Sequence, residues 1–461
     1  MYKYARRVLM ANFGAWVPAM ATIAIVTALV TMCSTQFFWT RDPKFIDAVN
    51  QQRYSLSEFT IVAQTIYIVV LLLAFFSLTV VGKSTVDSTR RIFAQWRLIG
   101  ATPRDVRFGT YSIIALCSLL GAAPGTVLGT ALSYVVVPAF NQLAASGFDT
   151  PILPPSLLAV AASFTLSVFT CFFGAIGSVR IASRARPIEV FRSSVTTQKS
   201  KQWWKIPTLA ILLLIILSIL ILVGVTDGMK VGLSFVVNTS LHNGMMAVMF
   251  IFLMGNSSVI FVLKLLGNLA GKSGSVTGRL AAQAASERAA FSANTVAPLA
   301  AGLGSIGVIL VSIESAASII KTLDSSKAAN MVDTLVIVAL IAVVLLTTSA
   351  AVISLSSRQM SHERSLLRIA GMPRKQITIW YLWQGFLLSL TATLRAASPI
   401  LVAMVTAAIS SVSYVGHPII VFPWLAIIFG VVSCWIVLFL VQWLPARRSL
   451  SEDIAVGLRS E

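Results

Sequence analysis

The sequence predicts an all-α polytopic membrane protein with ten transmembrane helices, arranged as two parallel four-helix repeats plus a central helix pair. Three observations carry that reading. Of the 461 residues, 57% are hydrophobic and only 11% charged, against about 25% charged in a soluble globular protein; too little polar surface remains to coat a water-facing body. Uncharged stretches such as Phe108–Phe148, Ala289–Ile313 and Thr334–Ser357 each exceed the roughly 20 residues a helix needs to cross the hydrocarbon core. Two basic segments, around Arg97 and around Arg368, recur with one internal pattern. The first two observations exclude a soluble enzyme, a disordered chain and a disulfide-rich secreted module.

The first span, 13–34, follows the basic stretch Met1–Arg7. Its apolar run reaches about Thr31 with no small-x-small cleavage site after it, so a retained span is expected rather than a signal peptide. Spans two to four are 59–81, 109–137 and 155–178, and the central pair is 206–226 and 244–266. The last four are 293–313, 334–356, 377–407 and 421–444. An even count puts both termini on one side. With the N-terminus in the cytoplasm, the cytoplasmic segments hold 28 of the 35 Lys and Arg residues, as the positive-inside rule requires. The net charge of +19 therefore orients the chain and meets anionic lipid headgroups; no nucleic acid is needed to explain it. The expected location is the plasma membrane, multi-pass, with both termini cytoplasmic. The outer loops are short, 24 residues at most (Thr35–Glu58), so any substrate is met within or beside the bilayer.

The repeat rests on two cytoplasmic segments. Arg97, Gly100, Pro103 and Arg104 recur as Arg368, Gly371, Pro373 and Arg374, with one residue fewer between Gly and Pro in the second copy. Each segment follows the second span of a four-span set and leads into the third. The endings match in kind, Ala182 to Arg192 after span four and Ala446 to Arg459 after span ten. The expected domains are a first four-span repeat over 1–192, a linker with the central two-span insertion over 193–274, and a second repeat over 275–461. Six spans separate equivalent points, an even number, so both copies face the same way, as in parallel repeats about an axis along the membrane normal. Two similar cytoplasmic faces suit a symmetric dimeric partner.

The short helix ending in Arg-x-x-Gly-Ala-Thr-Pro-Arg, between spans two and three of a four-span unit, resembles FtsX/MacB-type ABC transporter permeases. So does the Pro187-Ile188-Glu189 to Arg192 ending. The 4+2+4 layout resembles the ten-span BceB-like branch associated with antimicrobial-peptide resistance, without its large extracellular domain: only 20 residues, Glu314–Asp333, stand between spans seven and eight. The resemblance implies that the Arg97–Arg104 and Arg368–Arg374 segments are coupling helices resting on a separate, homodimeric MacB/LolD-like ATPase. ATP and Mg would then belong to that partner and no cofactor to this chain. Apart from the resemblance, a short helix broken by Gly and a nearby Pro presents arginines at the membrane surface, and Arg suits docking on acidic partners. The competing reading is a headgroup-binding loop.

Gly267 to Ser273 looks like a phosphate-binding loop but has three residues between its glycines where the motif needs four, and a membrane span precedes it instead of a strand; the chain is expected to hydrolyse nothing. Gly121, Gly125 and Gly129 form a small-residue stripe suited to close helix packing, with Pro124 permitting a kink. Counting from the two prolines, the matching stripe in span nine is Thr391, Arg395 and Pro399. A central Arg costs about 2.5–3.5 kcal/mol to insert on translocon scales. Arg395 therefore either snorkels to the outer headgroups or lines an outward-facing lateral cavity that binds an anionic lipid or amphiphile. Asn256, Ser257 and Ser258, mid-span in span six, are expected to bond a neighbouring helix, with Asn256 a second candidate contact for substrate or lipid. Cys33, Cys117, Cys171 and Cys434 are expected to be structural and unpaired, and the three scattered histidines (His242, His362, His417) offer no metal site.

The function expected is the transmembrane permease subunit of an ATP-driven transporter that exports or extracts an amphiphile: an antimicrobial peptide, a lipid-like toxin or a hydrophobic drug. Two alternatives stand beside it. One is a non-transporting FtsX-like sensor or scaffold that regulates a kinase, such as a two-component sensor kinase, or a cell-wall hydrolase. The other is an ion-coupled secondary transporter, which needs ionisable residues near the midplane; Arg395 alone qualifies.

Overall fold

Lipid offers no hydrogen bonds to a backbone, so an apolar segment closes its own N–H and C=O groups by forming a helix. The computed structural model describes residues 7, 10, 13–144, 147–184, 205–226, 233–272, 276–287, 289–323, 332–369 and 371–450. Every element among them is helical: α1 (Phe13–Trp39), α2 (Pro43–Gln51), α3 (Leu56–Leu98), α4 (Pro103–Ala144), α5 (Leu157–Arg184), α6 (Lys205–Val225), α7 (Leu233–Met254), α8 (Asn256–Lys272), α9 (Val276–Glu287), α10 (Ala289–Leu323), α11 (Val332–Ile369), α12 (Arg374–Val415) and α13 (Trp424–Leu450). Among the described residues nine helices are long and apolar enough to cross a membrane; the apolar stretch of α11, Val338–Ser354, is shorter. The repeat endings, 185–192 and 451–459, lie outside the described residues.

The sixth span departs from expectation. Instead of one helix over 244–266, α7 starts at Leu233 and stops at Met254, and α8 starts at Asn256. Gly255 between them has φ +63°, a left-handed conformation that glycine adopts without a Cβ penalty and that ends an α-helix. The pseudo-phosphate loop, Gly267 to Lys272, is helical and belongs to α8. All four cysteines are buried free thiols.

Two compact units emerge, Met1–Gln198 with Ala339–Ser356, and Lys199–Val338 with Ser357–Glu461. In the first, α1 lies along α4 and α3 along α5. The glycine stripe of α4 makes the α1 seam a contact of backbones. A Cβ on Gly125 would stand 2.5 Å from the Ala24 carbonyl oxygen, and one on Gly121 would stand 2.8 Å from that of Met20. Gly82 of α3 and Gly174 of α5 do the same at their crossing, Gly82 against the Cys171 backbone and Gly174 against that of Thr79. Polar groups pair across the seams: Gln36 Nε2 donates to Asn141 Oδ1 at 2.8 Å, the Ser34 and Ser163 hydroxyls meet at 2.8 Å, and Thr22 Oγ1 donates to the Thr347 carbonyl at 3.2 Å.

In the second unit α10 lies along α12, and α7 packs on both. Here the glycines are on the other partner. Gly304 of α10 faces Pro399 and Ala396 of α12, with a Cβ on it 3.0 Å from Pro399 Cγ. Asn243 Nδ2 donates to Thr406 Oγ1 at 2.8 Å, and Ser240 Oγ to Ser312 Oγ at 2.6 Å.

Candidate coupling turns and the intramembrane arginine

Both basic segments fold into the same backbone turn. At the end of α3 the Gly100 N–H donates to the Arg97 carbonyl at 3.2 Å and the Ala101 N–H to that of Trp96 at 3.0 Å. At the end of α11 the Gly371 N–H donates to the Arg368 carbonyl and the Met372 N–H to that of Leu367, each at 3.0 Å. This is the Schellman closure, which needs a left-handed residue after the helix. Gly100 (φ +99°) and Gly371 (φ +84°) supply it, with nothing within 4 Å of where a Cβ would stand. Conformation, not crowding, selects glycine at both.

The next helix starts three residues after each glycine, at Pro103 and at Arg374. The repeat therefore has no missing residue. Pro373 stands where Thr102 does, as the residue before the helix, and Arg374 stands where Pro103 does. Aligning the two prolines overlooks that they fill different positions of the cap. In this register Val106, Gly109, Thr110 and Ile113 are buried, and so are Ile377, Trp380, Tyr381 and Gln384. Arg104 then corresponds to Lys375, and the counterparts of Gly121 and Gly125 are Ala392 and Ala396 instead of Thr391 and Arg395.

The turns present a mixed surface. Ile99 is 86% exposed and Leu98 49%; Ile369 at the second turn is 57% exposed. Pro103, Arg104, Pro373, Arg374 and Lys375 are exposed, whereas Arg97 and Arg368 are half-buried. Arg97 Nη1 donates to the Ser183 carbonyl in the last turn of α5 at 3.3 Å, and Arg107 Nε to the Ser183 hydroxyl at 3.0 Å. Arginine suits that place because the last carbonyls of a helix lack helical donors. Thr102 and Asp105 close a capping box: the Thr102 N–H and hydroxyl donate to Asp105 Oδ2 at 3.0 and 2.6 Å, and the Asp105 N–H donates to Thr102 Oγ1 at 3.3 Å. The second turn is seated differently. Leu367 and Met372 pack on an apolar cluster of Leu266 from α8, Ala281 and Ala282 from α9, and Ile377, Trp380 and Tyr381 from α12. Pro373 offers no side-chain cap.

Residues 65–187, which take in α3 from its third turn, the Gly100 turn, α4 and α5, match the model of the FtsX-like permease C-terminal family. This stretch is similar to the FtsX-like permease domain. No curated protein matches the chain. The family is one of membrane transport components that are not themselves catalytic, and the match points to a membrane permease component of an ABC-type system.

The remaining candidates lie in the second unit. Arg395 is 6% exposed, and its Nη2 donates to the Ile251 carbonyl of α7. It does not reach out of the packing as a snorkelling side chain would. Its neighbour Ala396 faces Gly304, near the middle of the uncharged run Ala289–Ile313. Asn256 opens α8, and its side chain lies outside the described residues. Ser258 bonds the Gly255 carbonyl of its own turn at 3.1 Å, instead of a neighbouring helix. The exposed isoleucines Ile99 and Ile369 were not marked by sequence. Their signal is a β-branched apolar residue one or two positions before a helix-ending glycine.

Proposed function

We propose that this chain is the permease subunit of an ATP-driven transporter that exports or extracts an amphiphile, coupled to a separate dimeric ATPase through the Gly100 and Gly371 turns. The observation that carries this reading is the repetition of one hydrogen-bonded turn, each copy setting exposed isoleucine beside exposed Arg or Lys. An apolar anchor ringed by basic groups is the composition of a docking face, where a buried anchor supplies most of the binding energy and rim charges supply orientation. Two such faces on one chain suit a two-fold ATPase. Closure of the ATPase around ATP would draw the turns together, and helices continuous with them would carry that movement into the bilayer. The short outer loops favour a substrate taken from the membrane: an antimicrobial peptide, a lipid-like toxin or a hydrophobic drug.

The test is co-purification with the ATPase encoded beside it, followed by ATP hydrolysis in nanodiscs. Ile99→Asp combined with Ile369→Asp is expected to abolish the complex. Arg104→Glu with Lys375→Glu is expected to weaken it by about tenfold, a loss of roughly 1.4 kcal/mol, and more at low salt. A wild-type chain that binds no ATPase would end the proposal; so would a complex indifferent to all four substitutions.

A further inference from the structure

Arg395 is a fixed positive charge buried within the second unit, and the Ile251 carbonyl, in the last turn of α7, offers it only the partial negative charge of a helix end. A guanidinium carries five N–H donors; here Nη2 is engaged while Nη1 is buried with no partner among the described residues. A buried charge left without a counter-charge is costly unless something else uses it.

The surroundings supply a second feature of the same sign. Ile251 lies in the last turn of α7, four residues before the break at Gly255, and α8 opens immediately after it. The first N–H groups of this 17-residue helix have no helical acceptor, and the helix dipole adds partial positive charge there. Discontinuous membrane helices meet anionic groups with such N-terminal ends. Arg395 and the start of α8 thus converge on one short stretch of the fold, and both favour a negative charge.

We propose that Arg395 and the first turn of α8 form a recognition site for the anionic headgroup of an amphiphile, a phosphate or a carboxylate carried on an apolar tail. A lipid-borne anion fits better than a free one, because the helices around the site are the apolar α7, α10 and α12. Arg395 would bind the headgroup through Nη1 while Nη2 keeps its hold on α7. The site deepens the permease reading by naming the charge of its cargo, but binding is measurable without any ATPase, so the two can fail separately.

The experiment uses the full-length chain in neutral detergent, with phosphatidylglycerol, phosphatidylcholine or inorganic phosphate added, read by native mass spectrometry and thermal unfolding. The wild-type chain is expected to retain phosphatidylglycerol on the order of tenfold better than phosphatidylcholine, the scale of one charge-assisted hydrogen bond, with phosphate alone giving no shift. Arg395→Gln is expected to remove that preference and Arg395→Lys to keep part of it. Should Arg395→Gln fail to fold, Gly255→Ala, which retains the arginine but opposes the break before α8, is expected to weaken the preference severalfold. The proposal is overturned if the wild type does not discriminate between the lipids. It is also overturned if discrimination survives Arg395→Gln, if the variants lose stability equally in both lipids (Arg395 then serves only to cap α7), or if phosphate alone reproduces the shift.

Discussion

The Gly100 and Gly371 turns share one backbone and are fastened by different forces. The Gly100 turn is held by polar bonds: Arg97 and Arg107 grip Ser183 at the end of α5, and Thr102 and Asp105 cap α4. The Gly371 turn rests on an apolar seat built by α8, α9 and α12, and its following helix has no side-chain cap. The Schellman closure and the three-residue step into the next helix are common to both. What the repeat preserves is therefore the path of the chain and the outward display of isoleucine and basic residues. How each turn is braced differs with its neighbours, and α8 supplies part of the second brace through Leu266.

Five substitutions sharpen that contrast. Leu266→Ala, in the apolar seat, should have the largest effect. We expect a loss of about 2 kcal/mol, the low end for a buried Leu→Ala, because lipid tails are as apolar as leucine and the transfer term that water would add is small. Amide hydrogen exchange should rise over 367–377 and stay unchanged over 95–106; equal loosening of both turns would break the distinction. Gly100→Ala and Gly371→Ala should each cost about 1–2 kcal/mol, the penalty of a left-handed residue with a Cβ, and the two should agree because neither site is crowded. A large inequality in thermal unfolding would mean that the turns are not equivalent. Thr102→Ala should cost about 1 kcal/mol through loss of the cap, seen as fraying of the first turn of α4, whereas Pro373→Ala should leave the first turn of α12 as protected as before.

Much of the architecture was legible because charge is so sparse: uncharged stretches and the Lys/Arg-rich segments between them marked the helices with little ambiguity. The break at Gly255 was not, since hydropathy averages over a window and one glycine followed by Asn256, Ser257 and Ser258 barely lowers it. The turns were recognisable from Arg-x-x-Gly, but their register was not. Matching Pro103 to Pro373 imposed a gap, whereas the spacing from glycine to helix start obeys hydrogen-bond closure. That one-residue shift placed Arg395 opposite a glycine and made it part of a stripe. Its contact with Ile251 joins residues 144 apart in sequence, a pairing that no local pattern carries.

α3 runs unbroken for 43 residues with no proline, and α11 for 38, while the helices that return from the turns contain Pro124 and Pro138 in α4 and Pro399 in α12. At 1.5 Å per residue α3 is a rod about 65 Å long, and its closest approach to α5, backbone against backbone at Gly82 and Gly174, provides a fulcrum. The 16 residues beyond that point form an arm of about 24 Å, so a tilt of about 10° swings its tip by about 4 Å. Proline-free arms lead into the turns and proline-bearing ones lead out, which pairs a stiff helix with a more compliant return in each hairpin.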